Sequence, residues 1–174
     1  LHLIPTLFFF KKEKANIEIE FIDSTTSKSV FITNTDVPDF FEKKFEVANK
    51  ENAKFDFTLH HRIEKAQGNL NAFYCANNRS VCEFSDKDFK MSLPYGYSGF
   101  LLLEASYLDV HGNNERNDFD IYPVRTDVYS SLSWEMINEK LKSAISDIVK
   151  KGVPETQKIN KEKIIRKGVN LKKG

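Results

Sequence analysis

The sequence predicts an α+β domain, and three observations carry that reading. Ile17 to Asp23 and Phe55 to Glu64 alternate apolar and polar residues, the period of strands with one solvated face. Asn77-Asn78 interrupts a run of aromatic and β-branched residues, as the turn of a tight hairpin does, because Asn tolerates the positive φ of a type I′ turn. Near the C-terminus, Trp134, Ile137, Leu141, Ala144, Ile145 and Ile148 recur at three- and four-residue steps, which is one face of a long helix. Strands gathered first and a helix set after them is the α+β order.

The elements follow in order. Leu3 to Phe10 is apolar but too short to span a bilayer, with no basic stretch before it and no cleavage site after it, so no membrane association is expected. It reads as the end of an element begun upstream, which makes the chain a fragment of something longer. After the Ile17–Asp23 strand, Ser24 to Ser29 is a polar turn and Val30 to Thr33 a short strand closed by Asn34-Thr35-Asp36. Pro38 to Phe45 is expected to form one or two helical turns with Phe41 and Phe45 on one side. On the next strand Phe55, Phe57 and Leu59 share a face, and the adjacent His60 and His61 point to opposite faces. Gln67-Gly68-Asn69 turns the chain into the hairpin. Ser85 to Ser92 is too short and polar for a full crossover helix, and Leu93 to Gly96 is a loop. Tyr97 to Leu108 reads as a long buried strand, and Phe119 to Tyr122 as a half-exposed one. The helix runs from Ser131 to Lys151, with Ser131 or Ser133 as its cap, Glu135 in its first turn and Lys150-Lys151-Gly152 as its stop.

At 174 residues the chain is one domain, or one domain with a tail, long enough to bury a core. The expected division is 1–152 for the domain and 153–174 for a basic tail or the start of a further segment, partly helical from Ile159 to Arg166. The tail has a net charge of +5 within a chain of net charge +1, leaving −4 on the rest. There is thus no global pull toward nucleic acid or an acidic membrane. Cys75 and Cys82 lie on opposite arms of the hairpin. With the turn at Asn77-Asn78, Cys75 faces Ser80 and Cys82 faces Phe73, so the thiols are diagonal neighbours about 7–8 Å apart. That is beyond disulfide reach and predicts free thiols, as in a reducing, cytoplasmic compartment.

The densest polar stretch is the loop Leu108-Asp109-Val110-His111-Gly112-Asn113-Asn114-Glu115-Arg116-Asn117-Asp118-Phe119. A loop on a rigid scaffold is where function concentrates. The order of hairpin "FYCANNRSV", apolar run and loop "DVHGNNERNDF" resembles the transducer, or second, domain of the GHKL ATPases, the group of MutL, the gyrase B subunit and the Hsp-ninety chaperone. MutL proteins carry a hairpin of the type F-V-N-G-R-x-V, matched by Tyr74 to Val81 with one extra turn residue. They later carry D-V-N-V-H-P-x-K-x-E-V-R-F, loosely matched by Asp109 to Phe119, and the chaperone's L-N-x-S-R-E loop has an arginine where Arg116 stands. The likeness covers roughly Phe55 to Ile148. It departs from the family at Ser85–Ser92, where a longer helix is usual, at Gly112 in place of proline, and in lacking the lysine.

The resemblance implies a mixed sheet with helices on one face, of the ribosomal-protein-S-five domain-two type. It implies that Arg116 and Asn114 are catalytic toward ATP and magnesium held by an upstream nucleotide-binding domain, and that Arg116, Asn113 and His111 bind the nucleotide, often within a homodimer. A planar, permanently charged guanidinium forms paired bonds to phosphate and so senses the γ-phosphate. The other reading of Arg116 is an ion pair with Asp118 or Glu115, and Arg79 after the turn reads as a structural ion-pair partner. The chain is not expected to be an enzyme alone. Its first glycine is Gly68, so it has no glycine-rich phosphate cradle, and it lacks a Walker A loop, a G-x-S-x-G elbow and an H-E-x-x-H motif. Two other classes stay open: a nucleic-acid-binding module of the same fold, marked by a basic and aromatic surface stripe, or a non-catalytic interaction domain.

Overall fold

The structure, a computed structural model, describes residues 3–26, 28–84, 89, 93–115, 117–124 and 131–153. The segments 85–88 and 90–92, Arg116 and the tail from 154 lie outside the described residues. The elements are α1 (Leu3–Lys12), β1 (Glu18–Asp23), β2 (Lys28–Thr33), β3 (Phe41–Ala48), β4 (Lys54–Glu64), β5 (Leu70–Ala76), β6 (Arg79–Glu83), β7 (Ser98–Glu104), α2 (Ser106–His111) and α3 (Trp134–Gly152). Five strands form one sheet in the order β3-β4-β7-β5-β6, and β1 and β2 form a separate antiparallel ribbon. Within the five-stranded sheet β5 and β7 pair parallel and the other neighbours antiparallel, so the sheet is mixed and the fold is α+β.

The central strand shows why the sheet is covered twice. Leu101 and Leu103 point to one face, where α2 and α3 pack with Tyr107, Leu108, Ile137, Leu141 and Ile145. Leu102 points to the other, where Leu7, Phe8 and Phe9 of α1 close over it with Phe73 and Cys75. A strand buried on both faces reads as a continuous apolar run. Gly99 is needed in this strand because a Cβ there would lie 2.6 Å from the Arg62 carbonyl oxygen. No helix among the described residues is long and apolar enough to cross a membrane.

Several elements appear as the sequence predicts. Phe55, Phe57 and Leu59 share the α3 face of β4. Asn77 and Asn78 have φ of 51° and 60°, as a type I′ turn requires. Ser133 caps α3, its Oγ accepting the Met136 N–H at 3.4 Å, and Lys150 and Lys151 occupy the last turn. Val153, expected at the head of a tail, is fully buried, and its N–H donates to the Val149 carbonyl.

Four expectations are overturned. The segment expected as helical turns at Pro38–Phe45 contains the start of β3, whose Lys43, Phe45 and Val47 turn inward at period two and which pairs with β4 over eight residues. The strand expected from Tyr97 to Leu108 stops at Glu104. Ala105 is still extended (φ −164°, ψ 148°), and α2 follows, burying Tyr107 and Leu108 from a helix. Phe119 to Tyr122 has the burial alternation of a strand, but among the described residues it makes isolated bridges, Gly112 to Phe119 and Tyr122 to Ser133, in place of a ladder. Cys82 faces Tyr74, not Phe73, because the register shifts between Tyr74 and Cys75. A bulge of one residue exchanges faces, so Cys75 joins the α1 cluster and Cys82 packs on the α3 side. Both thiols are free.

Candidate functional site

The hairpin turn and the asparagine-rich loop meet on α2. Asp109 faces the turn, and its Oδ1 accepts the Asn77 N–H at 2.7 Å while its carbonyl accepts from Asn77 Nδ2 at 3.2 Å. A carboxylate accepting a backbone N–H is a charge-assisted bond, stronger than a neutral one. α2 is anchored in turn by Tyr107. Its hydroxyl accepts the Leu132 N–H at 2.9 Å and donates to the Leu132 carbonyl at 3.2 Å, so α2 is tied to the residues just before α3. Burial pushes the Tyr107 phenol up.

From α2 the chain leaves through His111. Its ring stacks on Tyr107 at 4.0 Å between centroids, and Nδ1 lies 2.7 Å from the Tyr107 carbonyl oxygen. The loop then closes on itself. The Asn113 N–H donates to the Asp118 carbonyl at 2.9 Å, and the Asp120 N–H to the His111 carbonyl at 2.8 Å. Asn113 Oδ1 accepts the N–H groups of Asn117 and Asp118 at 3.1 and 3.3 Å, and its Nδ2 donates to Asn117 Oδ1 at 2.8 Å. Phe119 plugs the base, edge-on to Trp134 at 5.7 Å.

Each residue singled out from the sequence can therefore be placed. His111 and Asn113 are engaged in building the loop. Asn114 and Glu115 are exposed at its tip. Arg116, next along, lies outside the described residues, and with it both readings of that side chain. Arg79 is half-buried at the start of β6, opposite Ala76.

The sequence did not reveal a second polar centre, which borders the first through Asn77 and Asp109. A cavity of about 280 Å³ opens between α1 and the turn, lined in part by Lys12, Asp56, Thr58, Asn78, Glu104 and Ser106. Lys12 Nζ donates to Glu104 Oε1. The same oxygen lies 3.0 Å from His60 Nε2, and Glu42 Oε1 lies 3.7 Å from His60 Nδ1. His60 is 3% exposed, and its Nε2 touches the carboxylate without the alignment of a hydrogen bond. Burial pushes the Glu104 carboxyl up, but His60 and Lys12 outweigh it and hold the group below its ordinary value. His61, on the opposite face as expected, has its pKa lowered by burial and by neighbouring His60, and packs against Phe41. The only sequence signal for this centre was a histidine on the α1 face of an alternating strand.

The two centres differ in chemistry. The α1 side is a charge cluster in which Lys12 pairs with Glu104 while the buried His60 Nε2 has no aligned hydrogen bond. The loop side presents amide and carboxylate groups outward on a braced backbone, the arrangement of a contact surface. Comparison with known proteins adds nothing to this geometry: no family model matches the chain, and neither does any curated protein or solved structure.

Proposed function

We propose that the chain is the transducer module of a larger GHKL-type ATPase, completing an ATP site held by a neighbouring nucleotide-binding domain and relaying its nucleotide state. One observation carries the reading. The two motifs that resemble that family, the hairpin turn and the asparagine loop, are separate in sequence yet braced on the same short helix through Asn77–Asp109 and His111–Tyr107. A loop braced in this way delivers its tip to an external partner with little conformational entropy left to lose.

The sequence offers no glycine-rich turn to bring backbone amides close to phosphate, so this chain would not hold the nucleotide by itself. ATP and magnesium would be bound by the upstream domain, which supplies the hydrolytic chemistry. Asn114 would donate to phosphate oxygens from the loop tip. Arg116 would pair with the γ-phosphate and lose that partner when the phosphate leaves. Asn113 and His111 hold the loop in shape and so act as positioning residues.

The test is steady-state ATP hydrolysis by the polypeptide that carries both domains. Arg116→Ala should lower turnover by up to about 10³-fold, the lower end of what arginines acting on transferring phosphoryl groups supply. Arg116→Lys should recover little, because a point charge does not reproduce paired contacts. Loss of turnover in Asn114→Ala alone would move the phosphate contact to that residue. Wild-type rates in both variants would overturn the reading, as would tight ATP binding by the 174-residue chain alone.

A further inference from the structure

A cavity of about 500 Å³ opens between the start of β4 and α2. Among the described residues its walls include Phe55, Asp56, Ser106, Tyr107, His111 and Ser131. Small-molecule sites have volumes of roughly 300–1,000 Å³ and combine apolar walls with a few convergent polar groups. The aromatic walls here are already fixed. Phe55 and Tyr107 meet at 73° with ring centroids 5.1 Å apart, so two rings form a corner. Tyr107 is held by its two bonds to the Leu132 backbone, and His111 is stacked on it.

The polar groups around this corner are acceptors. His111 Nδ1 lies 2.7 Å from the Tyr107 carbonyl oxygen, an atom that can only accept. Nδ1 therefore carries the proton, and Nε2 of the neutral ring is left as an acceptor. The hydroxyls of Ser106 and Ser131 accept as readily as they donate. Lys54, also on the wall, is already engaged, its Nζ donating to Glu46 at 2.7 Å. Asp56 stands opposite Glu46 in the β3–β4 register. Like charges directly opposite one another repel. Two carboxylates thus share one ammonium, whose hydrogen bond goes to Glu46, and Asp56 leaves the cavity wall with surplus negative charge.

We propose that this cavity binds a guanidinium group, stacked in the Phe55–Tyr107 corner, paired with Asp56 and donating to His111 Nε2. A guanidinium has five N–H donors and no acceptor, which suits a wall of acceptors. It is planar, so it stacks on aromatic rings and forms paired bonds to a carboxylate. It is also more weakly hydrated than an ammonium and loses less on entering an aromatic-walled site. The site uses neither Asn114 nor Arg116 and does not depend on the ATPase reading.

The experiment is calorimetric titration of the 174-residue chain with butylguanidinium, with amide NMR shifts to locate the binding. A Kd of about 1 mM is expected, because the contacts of one group must offset its lost freedom of motion. Butylammonium should bind at least about 5-fold more weakly, and butylurea, flat but uncharged, should not bind. Asp56→Asn should weaken binding at least about 10-fold, as loss of a charge-assisted pair does. Its melting temperature should not fall, since the change removes repulsion from Glu46. Phe55→Leu should weaken binding by about 2–5-fold through loss of the ring face. Equal binding of free arginine and a blocked Gly-Arg-Gly peptide would uphold the site and admit an arginine side chain of a partner protein. Binding of free arginine alone would uphold it as a small-molecule site. Absence of binding at about 20 mM butylguanidinium, shifts away from Phe55, Tyr107 and His111, native affinity in Asp56→Asn, or equal binding of butylurea would each overturn the proposal.

Discussion

The two faces of the five-stranded sheet are built from adjacent residues of the same strands, yet they differ in kind. On one face α3 lays Ile137, Leu141 and Ile145 against Leu59, Leu101 and Leu103, all essentially inaccessible to solvent. The buried polar contact there is matched, Tyr74 Oη donating to Asn138 Oδ1 at 2.9 Å. On the other face α1 covers a smaller apolar patch, and Lys12, Glu104, Glu42 and His60 sit beside it. Burying apolar area stabilises by about 25 cal/mol per Å², whereas partly exposed ion pairs add about 0–1 kcal/mol each. The α3 face therefore carries the stability, and the α1 face is the one that ionisation can loosen.

The largest test of this contrast removes apolar volume from each face. Leu141→Ala should cost about 2–5 kcal/mol, the range for buried leucines, and lower the melting temperature by several degrees at least. Leu7→Ala should fall at the low end, because α1 can settle on its patch more easily than a 19-residue helix can move. Equal losses, measured by urea unfolding, would mean that the two faces are energetically alike.

A smaller effect should come from the charge cluster, and it should depend on pH. Glu104 is held below its ordinary value by His60 and Lys12 despite its burial. A depressed acid stabilises the fold fully above its unfolded pKa, about 4.3, and that contribution is lost as pH falls through the lower folded value. Glu104→Gln should cost about 1 kcal/mol at pH 7, discounted for the exposure of Lys12. The gap from wild type should close as pH falls below about 4. A gap that is constant from pH 7 to pH 3 would show that packing, not charge, is what Glu104 contributes.

The smallest effect should come from the turn that joins the two faces, since Asn77 bonds Asp109 of α2 and Asn78 Nδ2 donates to Glu13, just past α1. Asn77→Ala keeps the backbone bond but leaves a Cβ at positive φ without the side-chain hydrogen bond that Asn makes there, and should cost about 0.5–1 kcal/mol. Asn77→Gly restores the conformational freedom and should recover most of that loss. If Gly is as costly as Ala in thermal unfolding, the side-chain bond to the Asp109 carbonyl, not the turn, is what matters.

The features readable from the chain alone are local. The α3 stripe, the β4 alternation and the Asn77-Asn78 turn are legible because helix period, strand period and positive φ are properties of a few consecutive residues. The polar loop was legible as a loop, and its closure by Asn113 is a short-range contact. The remaining features depend on long-range packing. The run from Leu101 to Leu108 is apolar enough for a strand or a buried helix, and only the end of pairing with β4 at Glu104 separates β7 from α2. Phe41 to Phe45 fits a helical turn until an eight-residue partner strand outweighs that preference. The one-residue shift at Tyr74 sent two cysteines to opposite faces, which no spacing announces. The bracing of Asn77 by Asp109, and the meeting of Lys12, His60 and Glu104, join residues tens of positions apart. Such contacts form only after the strands between them have been ordered by burial, so no local pattern in the chain encodes them.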